Sequence, residues 1–415
     1  MPTETVHTVV IGAGQAGLCV SWFLQREGIE HTILERDTVA SSWRRRWDSF
    51  TLVTPNALNR LPELPSGGDP DGFLARDQVI AYLERFAASF DPPLRTGVHV
   101  DAVAPHEPSG RFRVRTNQGE LACRNVVVAT GTFHRPWTPP VATRLPAGVR
   151  QLHSSDYRRP DDAPGAVLVV GSGQSGAQIA DELRAAGRTV HLAVGSAPRL
   201  PRRYRGRDTM RWLFDLGVFD RTVETLDTPA DRFAAHPHVS GRDGGATLDL
   251  RAFARDGVRL LGRLTAVDGD LLTFDDGLHD RLRAADAFAE RTKRTIDARI
   301  DDAGIEAPPP SDADLARTDF EPDEPPNRLS LEAAGVRTVI WATGYRFDFS
   351  WVAFPVFDGF GYPVQRHGAT DVPGLYFAGL HWGHRQRSAL LCGVAEGAER
   401  IAGAIAAAGT PAEAA

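Results

Sequence analysis

The chain has 415 residues, 42% hydrophobic and 24% charged, with a formal net charge of -6. This length exceeds one ordinary core and calls for two or three domains, and the mild acidity excludes a broad basic face for nucleic acid. Its three cysteines, Cys19, Cys123 and Cys392, form no CxxC pair or metal spacing, so a reducing cytoplasm is expected and neither a disulfide framework nor a metal site is.

The first apolar run, HTVVIG from His7, reads as a strand and leads into Gly12-Ala13-Gly14-Gln15-Ala16-Gly17. A helical pattern follows and ends at Gly28, where a glycine can take the left-handed cap. HTILE from His31 is the next strand, closing on Glu35 and Arg36. Leu94 to Thr116 reads as a small β meander, and NVVVATG from Asn125 as a further strand that carries Ala129-Thr130-Gly131. AVLVVG from Ala166 then leads into Gly171-Ser172-Gly173-Gln174-Ser175-Gly176 and a helix ending at Gly187. TVHLAVG from Thr189 ends in a tip with Ser196 and Arg199, followed by Arg202 and Arg203. From about 201 to 326 the texture turns Arg/Asp-rich with amphipathic helical runs, which reads as a helical insertion in the second nucleotide domain and a candidate cap over a site. Sheet resumes at TVIWATG from Thr338, carrying Ala342-Thr343-Gly344, and at GLYFAGL from Gly374. No run approaches ~18 apolar residues, so no membrane span is expected, and the N-terminus lacks a signal pattern.

Alternating strands and helices imply an α/β protein with parallel sheets. A lone GxGxxG is weak evidence. Here each copy follows a strand and opens a helix, which is the context of a dinucleotide fingerprint. Gly12 and Gly171 allow the tight turn, Gly14 and Gly173 let backbone approach a pyrophosphate, and Gly17 and Gly176 let helix pack on strand. The phosphates then face the free N–H groups of a helix N-terminus. The strand after the first copy ends in Glu35, which suits an unphosphorylated ribose as in FAD or NAD. The strand after the second has no acid at its tip, and Ser196 with Arg199 would accommodate the 2′-phosphate of NADPH. One chain holding both cofactors, FAD and NADPH, implies hydride transfer from one to the other.

At these residues the chain resembles the flavin-dependent monooxygenases with two dinucleotide-binding domains (class B). The paired GxGxxG motifs, VVVATGTFHRPWTPP, VIWATGY and SSWRRRWDSFTLVTPN carry the resemblance, which covers nearly the whole chain. Runs such as HSSDYR, YRGRD, SGRDGG and PVFDGFGYP are similar to a bacterial flavoprotein subfamily encoded beside a nitrilase. The resemblance implies two Rossmann-like dinucleotide-binding domains, the second with a helical insertion. Its expected bounds are 1–162 for the first part of the FAD-binding domain, 163–331 for the NADPH-binding domain, and 332–415 for the second part of the FAD-binding domain.

It further implies oxygenation of a small organic substrate by O2 through a C4a-(hydro)peroxyflavin, at nitrogen or sulfur. Carbon oxygenation, or an FAD-dependent NAD(P)H oxidase or quinone reductase, are the alternatives. By motif position Asn56 would stand beside the flavin and NADP+, Trp43 and Arg44 would pack along FAD, and Val100 would touch the adenine through its backbone. Thr130, Gly131 and Gly344 fall at the crossings between domains. His381 and His384 in HWGH have no carboxylate or cysteine at ligand spacing, so a cofactor-facing or substrate-facing loop is expected there. The missing CxxC removes the disulfide-reductase version of this fold, which needs a proximal dithiol. A cytoplasmic protein acting without nucleic acid or membrane, with a homodimer compatible, completes the expectation.

Overall fold

The computed structural model describes residues 4–106, 111–195, 198–234, 237–316 and 318–409. Two parallel sheets, built on one plan, organise the chain. In the first, strands run in the order Leu94–Thr96, His31–Glu35, Glu4–Ile11, Gly119–Val128, Arg111–Thr116 and Val100–His106, and Leu375–Phe377 also pairs with Gly119–Val128. Glu4–Ile11 lies between two parallel neighbours, with Ile11 opposite Leu34 on one side and Val128 on the other. The second sheet runs Arg150–His153, Val336–Trp341, Ala166–Val170, Val190–Ala193 and Arg259–Leu261, all parallel. In it Val170 stands opposite Ala193 and Trp341, the places that Leu34 and Val128 hold in the first.

Strands covered on both faces are buried along their whole length and mostly apolar. His31–Glu35 and Val190–Ala193 are buried at every position. Over the first sheet pack the helices Gln15–Arg26, Arg76–Phe90 and Val394–Gly409, whose Leu18, Leu24, Leu83, Phe86, Ile401 and Ile405 join one cluster with Val10 and Ile33. Over the second, helix Gln174–Ala185 packs Ile179, Ala180 and Leu183 against Val167, Val169 and Leu192.

Three sequence expectations change. Leu94–Thr96 belongs to the parallel sheet, Leu94 opposite Ile33, so the antiparallel meander starts only at Val100. Arg150–His153 and Val336–Trp341 both lie in the second sheet, inside stretches expected to belong to the FAD-binding parts. The Arg/Asp-rich region is not one insertion. Arg259–Leu261 is a strand of the second sheet, and Leu264–Asp268, Leu271–Phe274 and Arg328–Ser330 form a meander beside it. These strands are too short to show a clear period in the sequence. The inserted matter is therefore two stretches, which carry helices Thr209–Asp215 and Leu278–Ala303. No helix among the described residues is long and apolar enough to cross a membrane.

Candidate active site

Each phosphate loop is held by the same contacts. The Gly12 N–H donates to Leu34 O at 2.8 Å, and the Gly171 N–H to Ala193 O at 3.1 Å. Both glycines are left-handed, with φ of 107° and 103°, and a Cβ on either would press into the carbonyl of Ala129 or Ala342. A Cβ on Gly17 or Gly176 would lie 1.9 Å from the carbonyl oxygen of Gly12 or Gly171, so helix and strand can touch only through glycine here. Gly14 and Gly173 differ: a Cβ on either meets nothing within 4 Å. Both are extended residues at the N-caps of their helices, so the open space beside them faces the free N–H groups. That is the cradle a dinucleotide pyrophosphate requires, and the residues present fit one at each loop.

The strand ends separate the two sites. Glu35 is buried, and its Oε2 accepts from the Ala13 N–H at 2.8 Å while Oε1 accepts from the Asp37 N–H at 2.9 Å and the Ser41 hydroxyl at 3.4 Å. Three donors leave lone-pair capacity on the carboxylate for a ribose hydroxyl. Arg36 points to solvent beside Asp37. In the second domain Val194, next after Ala193, takes the place that Glu35, next after Leu34, holds in the first, and the Gly195 N–H donates to the Ser172 hydroxyl at 2.9 Å. Ser196 lies outside the described residues. Arg199 is largely buried and committed, 3.0 Å from Asp286 and 3.7 Å from Asp249, and Arg251 shares Asp286 with it. Arg202 is buried in a pair with Asp208 and stacks on Phe73, so it is a packing residue. Of the tip arginines, only Arg203 is exposed without an ion-pair partner among the described residues.

The two fingerprint glutamines do matching work. Gln15 donates to Ala389 O at 2.7 Å and accepts from the Trp43 indole at 3.1 Å, which ties two distant loops to the first phosphate loop. Gln174 bonds both backbone groups of Val239, so strand Val239–Ser240 straps across the second. His238, fully buried in that strap, lies against Ser172, and burial pushes its imidazole down to about 4. Ala16 packs under Gly379, which has φ of 68°, and Ser175 is half-buried in the first turn of its helix.

The crossings meet each other. Arg135–Pro136 pairs antiparallel with Tyr345–Arg346, and the Trp137 N–H donates to Gly344 O at 2.9 Å. Thr343 donates to Trp137 O, Thr130 lies 3.3 Å from His134 Nε2, and His153 Nε2 sits 3.0 Å from Gly344 O. Gly131 and Gly344 are left-handed and open on their Cβ side. Tyr157 is buried and donates to Glu182, which also accepts from Ser49, so the segment after Trp43 is fastened to the second domain's helix. Nothing in the sequence flagged that link, because its three members come from three separate segments.

Three expected site residues make contacts within the chain that their motif positions did not announce. Asn56 is buried with its amide donating to Asp69 O at 2.9 Å, and it faces Gly68 and Gly72, so its nitrogen fastens a turn while its buried Oδ1 has no hydrogen-bond partner among the described residues. Arg44 is exposed and paired with Glu84 on helix Arg76–Phe90, which leaves only Trp43 directed at the first loop. The backbone abutting Glu35 is that of Val98, whose N–H donates to Glu35 O at 2.9 Å, while Val100 lies two residues on, opposite Thr116.

Loop 381–392 is covered by inserted residues: Val223 donates to His384 O, Gln386 to Arg221 O, and Arg387 pairs with Asp220 at 2.8 Å. His384 stacks near His367 with ring centroids 4.1 Å apart, and no group of three metal-type side chains exists among the described residues. Cys19, Cys123 and Cys392 are free and buried, and burial pushes their thiols up.

Comparison with known proteins agrees with this geometry. The family model described as pyridine nucleotide-disulphide oxidoreductase matches residues 9–210. The CzcO-like oxidoreductase of Geobacillus kaustophilus is 31% identical over 401 residues, covering 95% of this chain and 97% of that one. Indole-3-pyruvate monooxygenase YUCCA1 of rice is 34% identical over 217 residues, 49% of this chain and 53% of that protein. Among solved structures, a flavin-containing monooxygenase from Stenotrophomonas maltophilia matches with a TM-score of 0.66 at 22% identity, covering 98% of this chain and 100% of that one.

Proposed function

Because the chain belongs to the CzcO-like oxidoreductases, relatives of the class B flavin-dependent monooxygenases, we propose that it uses NADPH and O2, with FAD, to oxygenate a small organic molecule at a soft nitrogen or sulfur. The family binds FAD and NAD(P)H. The observation that carries the reading is the pair of open cradles at Gly14 and Gly173, with a ribose-binding carboxylate beside one and Val194 beside the other. Bound FAD would supply hydride acceptance from NADPH and activation of O2, one oxygen atom going to the substrate and the other leaving as water with the help of a proton.

The chain's own part is to bind, orient and exclude water. Glu35 would accept from the FAD ribose, and the N-terminus of helix Gln15–Arg26 would hold its diphosphate. Val194 removes the carboxylate that would repel a 2′-phosphate. Gln15 and Gln174 would fix the loops that close each cradle, and the inserted residues 220–223 would keep water from loop 381–392. A second reading, carbon oxygenation of a keto acid, draws on the sequence likeness to the rice indole-3-pyruvate monooxygenase. The buried, unpaired cysteines speak against a dithiol relay.

The test is anaerobic reduction of the purified yellow protein with NADPH, followed by mixing with oxygenated buffer and candidate amines, thioethers and keto acids. Rapid bleaching of the flavin band and product formed mole for mole with NADPH support the proposal. Reduction that returns all electrons as hydrogen peroxide with every substrate class refutes it.

A further inference from the structure

Arg44, Arg45 and Arg46 follow one another and go three ways. Arg44 pairs with Glu84 and Arg45 with Asp37, both at the surface. Arg46 turns inward. Its guanidinium lies 4.9 Å from the centroid of Phe133 and 5.8 Å from that of Phe50. Among the described residues Tyr345 is the one titratable group that acts on it, and burial lowers the guanidinium's pKa. Phe133 packs on Tyr345 at 5.1 Å, and Tyr345 packs on His153 at the same distance. Asp156 is near Tyr345 but is exposed and makes no ion pair with Arg46.

The position of this cation matters as much as its solitude. Phe133 stands two residues after Gly131, and Tyr345 directly after Gly344, so both crossings contribute a ring. Phe50 packs against Trp43, which is bonded to Gln15 of the first phosphate loop. Arg46 therefore sits where the two dinucleotide domains meet. The other arginines of this neighbourhood are occupied: Arg76 and Arg159 by Asp48, Arg135 by Asp348, and Arg158 by backbone carbonyls. A half-buried guanidinium with aromatic rings on two sides and no ion-pair partner among the described residues is costly to keep. A planar fork of donors between ring faces is also the arrangement that receives a carboxylate or phosphate on a flat or apolar body. Phe133 is 63% exposed, so this side of the ring cluster is open to solvent.

We propose that Arg46, with Phe50, Phe133 and Tyr345, forms an anion subsite at the junction of the two domains, receiving an oxyanion group carried on an apolar or planar body. The anion is either the carboxylate of a small substrate or a phosphate of the nicotinamide dinucleotide. The location rests on the reading of the two loops as dinucleotide sites, but the binding test below needs no turnover, so it can succeed or fail independently of oxygenation.

The test uses full-length protein with flavin content recorded, and calorimetric titration with phenylacetate, its neutral counterpart 2-phenylethanol, and NADP+. Variants are Arg46→Gln, which removes the charge, and Arg46→Lys, which keeps it without the fork. For a substrate carboxylate, wild type binds phenylacetate about ten-fold tighter than the alcohol, and Arg46→Gln abolishes the difference. For a dinucleotide phosphate, Arg46→Gln instead weakens NADP+ about ten-fold, with no preference between the two aromatic probes. In both cases Arg46→Lys falls between, and the melting temperature of Arg46→Gln holds or rises, which a structural arginine would not allow. Unchanged affinity for phenylacetate and NADP+ in both variants overturns the proposal.

Discussion

Substituting Gly14 and Gly17 by alanine should separate fold from cofactor, because the two positions lie three residues apart in one loop yet meet different surroundings. Gly14 has φ of -81° and ψ of -175°, a conformation open to alanine, and the added methyl touches nothing within 4 Å. Losing a glycine N-cap costs a few tenths of a kcal/mol, and the stiffer unfolded chain returns about 0.4–1 kcal/mol, so stability should stay within about 0.5 kcal/mol of wild type. Gly17→Ala drives a Cβ to 1.9 Å from the Gly12 carbonyl oxygen, which is backbone and cannot swing away. That overpacking should cost about 3 kcal/mol or more. The Gly14 methyl instead fills the space a pyrophosphate must enter. Displacing one or two charge-assisted hydrogen bonds at ~1.5–3 kcal/mol each weakens flavin about ten- to several-hundred-fold. The assay is thermal melting alongside the flavin-to-protein absorbance ratio after desalting. Gly14→Ala should melt like the wild-type apoprotein and lose its colour on dilution, whereas Gly17→Ala should melt far lower. Full flavin retention in Gly14→Ala, or equal destabilisation by both substitutions, would refute the reasoning.

Two further outcomes follow from charges in the second domain. Asp286 holds Arg199 at 3.0 Å, so Asp286→Asn should free that guanidinium and lower the KM for NADPH about three- to ten-fold while leaving NADH unchanged; an equal change for both nucleotides in steady-state assays would mean Arg199 does not meet the 2′-phosphate. His191 and His238 are buried, and burial lowers both to about 4 from the usual value near 6.5, so the unfolded chain binds protons more readily than the folded one. Stability contributed by these neutral rings is complete above about pH 6.5 and declines as pH falls towards 4, by on the order of 3 kcal/mol for each ring. Thermal melts from pH 8 to 4.5 should show that decline, and a shallower one in His238→Phe; identical pH profiles for the two proteins would count against it.

Local stereochemistry made the nucleotide loops legible in the sequence. Gly17 and Gly176 are required by contacts within a single strand-turn-helix unit, and Gly12 and Gly171 by a left-handed turn bonded to the next strand, so their spacing alone announces the geometry. Glu35 was readable for the same reason, as the last residue of a strand whose position is set by the loop beside it. The ATG segments were visible as motifs, but only the structure showed that the carbonyls of Ala129 and Ala342 press on the first glycines and that Arg135–Pro136 pairs with Tyr345–Arg346. Polar side chains were far less legible. Asn56 is drawn to the carbonyl of Asp69 by a turn that no motif records, and Arg199 is held by Asp249 and Asp286, supplied from two other segments. The three arginines from Arg44 to Arg46 make the point most sharply. In the sequence they are identical neighbours, and their fates are set by Glu84, Asp37, Phe133 and Tyr345, partners brought near by the packing of two domains. Backbone sterics act over a few residues and leave a pattern in the chain; charge pairing acts through space, and its partners exist only once the tertiary structure has formed.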